Sequence, residues 1–338
     1  MQFSLHRSFP AETGFTDKWN QLLGESITDV PFLRHEYLST WWSTRGGGEW
    51  PDTAELALVT AEEDDSLLGI APLFFCENRE TEPSLLLLGS IEISDYLDLI
   101  VRPAHLSLFV HGLMDFLPSS PFPWKCLDWH NLFETSPSLP VLQEVAVQRG
   151  WSCSVEKTYH APSIPLPGDF EAYLAGIDKK QRHEIRRKMR RATETGEASW
   201  YIVTDETTLD SEIEALFRLM STDPAKAAFL TPAMRSQMRT SLQAAFKAGW
   251  LQLAFLKVHG SQAAVYVNFD YCDHIWVYNS GINFDLGALS PGWVLLGYLI
   301  QWAIEHGRAS FDFMRGDEEY KYRFGAVDRF VMRAELSR

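Results

Sequence analysis

The chain has only four cysteines in 338 residues, and Cys76, Cys126, Cys153 and Cys272 lie far apart. None stands in a CxxC or Cys/His pattern with zinc-ligand spacing, so we expect reduced, mostly buried thiols and no metal. No run approaches the roughly 20 apolar residues that span a bilayer. The opening MQFSLHRSFPAETGF has no long apolar core, unlike a signal peptide. We therefore expect a cytoplasmic protein.

Positive charge is also scarce, with 30 Lys and Arg against 45 Asp and Glu and a formal net charge of −15. A general nucleic-acid binder needs a cationic surface, so this balance argues against that class. Hydrophobic residues make up 46% of the chain and aromatic residues 13%, enough to bury a full core in one or two domains.

Strands and helices alternate along the chain, which predicts a mixed α/β fold. In the second half, Leu251 to His259, Ala263 to Tyr271 and His274 to Ser280 read as three consecutive antiparallel strands, followed by a helix and a strand. The first half shows a similar pattern without identity. We expect a structural duplication whose halves join between about residues 162 and 178, giving domains at 1–165 and 166–338.

A strand, a loop and an apolar helix that begins at Ser290-Pro291-Gly292-Trp293 form the first candidate site. Ser290 suits the N-cap position and Pro291 the first helical position, and Gly307 is the expected left-handed cap at the end. Free N–H groups and the helix dipole favour an anion here, with Gly292 allowing close approach of a ligand. The alternative is an ordinary capped helix.

A dense polar run after the next strand forms the second candidate site. Asp312 interrupts an apolar strand and is followed by Arg315, Glu318, Tyr320 and Lys321. A buried carboxylate beside tyrosines and a lysine is costly unless it is paired, and such clusters tend to be functional. The alternative is a structural ion pair between Asp312 and Arg315 or Arg323.

The stretch DKKQRHEIRRKMRR, residues 178–191, holds eight Lys or Arg residues on one predicted helix that extends to residue 195. Ile177, Ile185, Met189 and Ala192 form a narrow apolar stripe, so one face packs and the rest is basic. Arg182 and Arg186 lie one turn apart and are candidates for a phosphate or carboxylate clamp. The alternative is a solvated helix that neutralises nearby acids.

Polar residues interrupt the apolar strands of the first half at SDYLD, residues 94–98, just where a strand is predicted from Tyr96 to Val101. A turn capped by Asp95 is the simple interpretation. His130-Asn131, after a strand that ends at Trp129, is a weaker candidate of the same kind.

The pattern YNSG, then SPG opening a helix, then FDFMRGDEEYKYRFGA resembles CelD-like members of the GNAT acyltransferase superfamily, relatives of the Fem aminoacyltransferases. The resemblance extends to DKKQRHEIRRKMRRATETG and more weakly to SDYLDLIV and PFLRHEYLSTWW. It implies two tandem GNAT-like domains, each a mixed, largely antiparallel sheet flanked by helices. It also makes Asp95 and Tyr96 candidates for binding an acceptor. The usual glycine-rich Q/R-x-x-G-x-G/A loop is replaced by SPG.

The resemblance implies transfer of an acyl group, acetyl above all, from acyl-coenzyme A to an amine or hydroxyl of a cell-envelope or polysaccharide precursor. Residues 290–293 would hold the pyrophosphate. Asp312, Glu318 or Asp95 would be the general base, Lys321 would stabilise the oxyanion, and Tyr278 or Tyr320 would protonate the thiolate. The alternatives are a Fem-like aminoacyltransferase that uses charged tRNA, and a non-catalytic scaffold in a biosynthetic complex.

Overall fold

The computed structural model describes residues 1–194 and 198–338. These residues divide into two compact units: unit 1 contains Met1–Tyr159 and Phe330–Arg338, and unit 2 contains His160–Arg329. This division differs from the expected boundary at residues 165 and 166. The final strand belongs to unit 1 because it pairs with a strand of the first half.

The strands, in chain order, are β1 Gln2–His6, β2 Glu55–Leu56, β3 Leu58–Glu63, β4 Ser66–Ala71, β5 Leu73–Glu77, β6 Pro83–Leu87, β7 Ile100–Val101, β8 Cys126–Phe133, β9 Ser152–His160, β10 Ser163–Pro165, β11 Ala198–Ile202, β12 Leu251–Val258, β13 Ser261–Tyr271, β14 His274–Ile282, β15 Ser310–Asp312 and β16 Phe330–Ser337. The helices are α1 Phe15–Leu23, α2 His35–Gly48, α3 Leu106–Phe116, α4 Ser138–Arg149, α5 Phe170–Gly176, α6 Lys179–Glu194, α7 Glu206–Met220, α8 Pro224–Phe229, α9 Pro232–Lys247, α10 Pro291–Glu305 and α11 Glu319–Arg323.

Unit 1 contains two sheets. The first has the order β1-β3-β4-β7 and the second the order β2-β5-β6-β8-β16-β9. Pro72 separates β4 from β5, and because proline has no N–H to donate, it favours a break in the pairing at this point. The core of unit 1 is filled by fully buried aromatic side chains, among them Trp19, Trp41, Phe74 and Trp129. Unit 1 is therefore a mixed α/β structure with its own core.

Unit 2 is built on one six-stranded sheet with the order β10-β15-β14-β13-β12-β11. Neighbours are antiparallel except β14 and β15, which are parallel. Both hairpin turns have two residues with positive φ, His259 with Gly260 and Cys272 with Asp273, as tight two-residue hairpins require. The helices α7 and α9 contact this sheet, and so does α10. The predicted run of three antiparallel strands, then helix and strand, is confirmed.

Helix α10 is buried because it is apolar on nearly every side, with Val294, Leu295, Leu299 and Ile300 at 0% exposure. It contacts the sheet and also α6. Gly307, with φ of 71°, follows its end. The predictions that this helix packs on a sheet and that a left-handed glycine follows it are confirmed.

Helix α6 buries only the stripe formed by Ile185, Met189 and Ala192, as predicted from its spacing. It begins at Lys179, one residue after the predicted start, because the Asp178 carboxylate accepts hydrogen bonds from the backbone N–H groups of Lys180 and Gln181. The predicted end at Thr195 lies outside the described residues.

The expected fold class, a mixed α/β fold in two units, is confirmed. In the part of the chain that the structure describes, we find no helix long and apolar enough to cross a membrane. All four cysteines are free thiols. Cys76 and Cys126 are buried, whereas Cys153 is half-buried and Cys272 is exposed, so burial is less general than expected.

Candidate active site in unit 2

Strand β14 has an open edge, residues 277–282. It pairs with β15 only from His274 to Trp276, opposite Ser310 to Asp312, while its pairing with β13 continues to Ile282. Asn268 faces Val277 and Val267 faces Asn279, which leaves Tyr278 as an extra, bulged residue. A bulge bends its strand and increases its twist. The two parallel strands therefore separate where β15 ends.

The N-terminus of α10 follows the open edge through a short 3-10 turn. Ser290 occupies the N-cap position, as predicted, but with φ of 50° and ψ of 58° its side chain makes no capping hydrogen bond. Pro291 is the first helical residue, as predicted. Because the cap side chain is not used, the first-turn N–H groups keep the capacity to bind an anion.

Gly292 has a packing role that the sequence did not reveal. A Cβ atom at this position would lie 2.5 Å from Cδ1 of Ile282, so the side chain of Ile282 occupies the space that the glycine leaves. The expectation that Gly292 makes room for a ligand finds no support in this geometry.

The basic helix α6 meets the N-terminal half of α10. The Lys188 ammonium lies 4.4 Å from the ring centroid of Trp293, and 3.3 Å from Glu184 on its own helix. One turn further along α10, a Cβ on Gly297 would lie 2.9 Å from the sulfur of Met189, so the helices touch closely. Two features that the sequence marked separately thus bring a cation to the positive end of a helix.

The two candidate clamp residues on α6 have separate partners. The Arg182 guanidinium donates to the carbonyl oxygen of Ala175 at 3.4 Å, and Arg186 pairs with Glu171 of α5. Both members of the Arg186 pair are largely exposed to solvent. Exposed pairs contribute little stability, so an anionic ligand can displace Glu171 at low cost.

Asp312 lies at the end of β15 and is fully buried. Its carboxylate pairs with Arg329 and accepts a hydrogen bond from the N–H of Met314 at 2.7 Å. The sequence suggested Arg315 or Arg323 as an ion-pair partner, and Arg323 instead pairs with Glu319. A buried carboxylate needs such a partner, so the pair explains why Asp312 is tolerated in an apolar strand.

Lys321 is a buried lysine that holds the loop of residues 314–318. Its ammonium donates to the carbonyl oxygens of Arg315 at 2.8 Å and Gly316 at 2.9 Å, and it pairs with Glu318 at 2.8 Å. Those three contacts use its three N–H donors. In this arrangement Lys321 fixes the loop and has no further donor for a reacting group.

The remaining candidates surround this loop. Glu318 precedes α11 with 57% of its side chain exposed. Burial, together with the neighbouring Tyr266 hydroxyl and the Glu318 carboxylate, raises the pKa of Tyr320 well above its usual range, so Tyr320 stays protonated. Tyr278 packs on Phe269, with ring centroids 5.1 Å apart.

Lys226, a half-buried lysine in α8, was not among the residues predicted from the sequence. Its ammonium donates to the carbonyl oxygen of Ser280 on the open edge, and its Nζ lies 3.3 Å from the Ser280 hydroxyl. Burial lowers the pKa of Lys226, while the negative charges of Asp223 and Glu318 oppose this effect. A lone lysine in a short helix has no pattern that distinguishes it from a surface lysine.

In unit 1, Asp95 and Tyr96 are both buried. The predicted strand from Tyr96 begins only at Ile100, because Tyr96 has φ of 58°, a left-handed conformation that a strand cannot contain. Asn131 holds this segment: its amide donates to the carbonyl oxygens of Ile91 and Ser94, each at 2.7 Å.

Asp98, which the sequence did not single out, is also buried in unit 1. It accepts hydrogen bonds from the hydroxyls of Thr28, Ser136 and Ser138. Burial raises its pKa, and these hydrogen bonds oppose the rise. The hydrogen bonds to Asp98 and those from Asn131 hold residues 91–98 in one conformation.

A comparison with protein families matches the part of the chain that carries these features. Residues 179–322 match a family model described as an acetyltransferase (GNAT) domain, and this range contains α6, the open edge, α10 and Lys321. No curated protein matches the chain significantly.

Solved structures share the fold across nearly the whole chain. FemX superposes with a TM-score of 0.68 at 10% identity, covering 99% of this chain and 97% of FemX. A conserved protein of unknown function from Bacteroides thetaiotaomicron gives 0.63 at 9% identity, covering all of both chains. L-PGS from Bacillus licheniformis gives 0.57 at 12% identity, covering 95% of this chain and 91% of that one. Residues 179–322, within unit 2, are therefore a GNAT-type acetyltransferase domain, and the fold of the chain is similar to that of FemX.

Proposed function

We propose that the protein transfers an acyl group, acetyl above all, from acyl-coenzyme A to an amine or hydroxyl of a cell-envelope or polysaccharide-type acceptor. The observation that carries this proposal is the open edge of β14 leading to an N-terminus of α10 that Ser290 does not cap and that Lys188 approaches. The pantetheine part of coenzyme A needs hydrogen-bonding backbone, and its pyrophosphate needs a site that favours negative charge.

The pantetheine part of the donor carries amide groups, which can pair with strand backbone that has no neighbouring strand. The open edge supplies such backbone at residues 277–279. The pyrophosphate carries negative charge, which the first-turn N–H groups of α10 and the Lys188 ammonium favour. Residues 290–293 and Lys188 are thus the proposed phosphate site.

The reaction also needs a base for the acceptor and an acid for the leaving thiolate. Glu318 is our candidate base, because its carboxylate is exposed at the 314–318 loop. Asp312 is less suited, since it is fully buried and paired with Arg329, so an acceptor cannot reach it. Tyr320 remains protonated and is the candidate acid. Arg182, Arg186, Arg315, Asp95, Tyr96 and Tyr278 remain candidates for binding the acceptor.

A Fem-like aminoacyltransferase that takes its donor from charged tRNA is the second candidate function. Two observations favour it: the fold likeness to FemX, and exposed cations along α6 such as Lys179, Lys180, Arg187 and Arg190. A tRNA donor would bind with a steep dependence on salt, because phosphate contacts release counterions. Acyl-coenzyme A binding would depend on salt only weakly. A non-catalytic scaffold would bind neither donor.

Calorimetric titration with acetyl-coenzyme A tests the proposal, using wild type, Lys188→Met and Lys180→Met. Lys180 is an exposed lysine on the same helix and serves as a matched control. We expect Lys188→Met to weaken binding about 10- to 140-fold, since a hydrogen bond to a charged group contributes about 1.5–3 kcal/mol. Lys180→Met should have little effect. Substitution of Gly292 is a poor probe because any side chain would overlap Ile282.

If wild type binds no acetyl-coenzyme A, the proposal is wrong. Salt-dependent binding of charged tRNA by that same protein would then favour the aminoacyltransferase. If Lys188→Met and Lys180→Met bind acetyl-coenzyme A equally well, the donor site lies elsewhere.

A further inference from the structure

Lys226 and Thr222 both contact the open edge of β14. The Lys226 ammonium donates to the carbonyl oxygen of Ser280, and the Thr222 hydroxyl donates to that of Ile282 at 2.6 Å. Both carbonyl groups lie beyond Trp276, the last residue of β14 that pairs with β15. Residues 222–226, from the end of α7 into α8, therefore close the far end of the open edge and leave residues 277–279 for a ligand.

Lys226 also interacts with the other side of the opening. The negative charge of Glu318, which follows β15 in the chain, acts on its ammonium. Glu318 in turn pairs with Lys321 and acts on the hydroxyl of Tyr320. One lysine thus contacts the edge of β14 and lies within electrostatic range of the candidate base.

Lys226 and Lys321 differ in how many of their N–H groups remain available for a hydrogen bond. Lys321 has its three N–H groups engaged by Arg315, Gly316 and Glu318. Lys226 has two contacts, both to Ser280, and the one to its hydroxyl is long at 3.3 Å. Among the described residues we find no third acceptor for the Lys226 ammonium. Lys226 can therefore bind a further oxygen atom without giving up its present contacts.

We propose that Lys226 is a catalytic residue that binds the acyl carbonyl oxygen of the donor and stabilises the oxyanion that develops on it. This inference rests on the proposed function and adds a residue to that site. Burial makes the positive charge of Lys226 costly, as the lowered pKa shows. A negative oxygen placed beside this charge compensates for the lost solvation, and does so most in the transition state.

The proposed transfer proceeds by addition of the acceptor and then elimination of the thiolate. The acceptor nitrogen or oxygen forms a bond to the thioester carbon while Glu318 takes its proton, and the carbonyl oxygen becomes negative beside Lys226. The carbon–sulfur bond then breaks, the carbonyl re-forms, and the thiolate leaves with the proton of Tyr320. Lys226 donates a hydrogen bond throughout and transfers no proton itself.

The test compares acetyl-coenzyme A with coenzyme A, which lacks the acyl carbonyl, by calorimetric titration. The variant is Lys226→Met, which replaces the aliphatic part of the side chain and removes the ammonium. The control is Lys247→Met at the exposed end of α9. We expect Lys226→Met to weaken binding of acetyl-coenzyme A about tenfold and binding of coenzyme A less than twofold. Lys247→Met should leave both affinities unchanged.

Three outcomes overturn the inference. Equal losses for both ligands in Lys226→Met would mean that the lysine only supports the 222–226 segment. Unchanged affinity for acetyl-coenzyme A would mean that it does not contact the acyl group. If wild type binds neither ligand, both the proposed function and this inference are wrong. The first two outcomes contradict only this inference.

Discussion

Replacing Lys321 with methionine removes the cation that holds the 314–318 loop. Methionine fills part of the aliphatic volume but donates no hydrogen bond, so the carbonyl oxygens of Arg315 and Gly316 lose donors at 2.8 and 2.9 Å. Each acceptor left without a partner costs about 1–3 kcal/mol, so we expect the loop to lose roughly 2–6 kcal/mol of local stability. The exposed Glu318 adds little to this figure.

Amide hydrogen exchange of the loop is the suitable assay, because a chain with two units does not unfold in a single two-state transition. The Gly316 amide reports directly, since it donates to the carbonyl oxygen of His160 at 2.9 Å. We expect its exchange to accelerate roughly 30- to 20,000-fold, the range that corresponds to the loss of local stability.

Arg323→Met is the matched control. Arg323 pairs with Glu319 one turn away on the exposed face of α11, and such pairs contribute only about 0.3–0.5 kcal/mol. Its effect on the Gly316 amide should stay within about threefold. If Lys321→Met also stays within that limit, the loop does not depend on the lysine and our assignment of its structural role is wrong.

Two further perturbations test the buried charges. In Asp312→Asn the Arg329 guanidinium loses its buried partner, so unit 2 should lose about 2–3 kcal/mol, measured by exchange of β15 amides; an unchanged rate would contradict a stabilising pair. In unit 1, burial would raise the pKa of Asp128, but hydrogen bonds from His130 and Arg333 lower it to about 2. Because the pKa of Asp128 is lower in the folded state, its ionised form contributes about 2 kcal/mol to stability above pH 4. This contribution is lost as the pH falls from 4 towards 2. Asp128→Asn should therefore abolish this part of the acid dependence of amide exchange in β8.

Elements defined by local periodicity were predictable from the sequence. The apolar character of α10, the stripe of Ile185, Met189 and Ala192 on α6, and the three antiparallel strands each follow from residue spacing within one segment. The return of β16 to unit 1 did not follow, because strand pairing across some 200 residues depends on tertiary packing that no local pattern encodes.

The candidate site could be predicted from the sequence as a set of residues but not as a set of contacts. Asp312 and Lys321 stood out as polar residues in or beside apolar segments, and both side chains are buried. Their partners are Arg329, 17 residues away from Asp312, and main-chain carbonyl groups, and the sequence does not mark either kind of partner. The contacts of Gly292 were equally unpredictable, since the side chain that occupies its space is that of Ile282 in β14.

Hydrogen exchange of wild type with and without acetyl-coenzyme A tests the central claim most directly. The proposed donor site predicts slower exchange at residues 277–279 of the open edge and at the first turn of α10, residues 292–294. Protection confined to unit 1, or absent from both segments under conditions where calorimetry shows binding, would contradict the placement of the donor on this edge and helix.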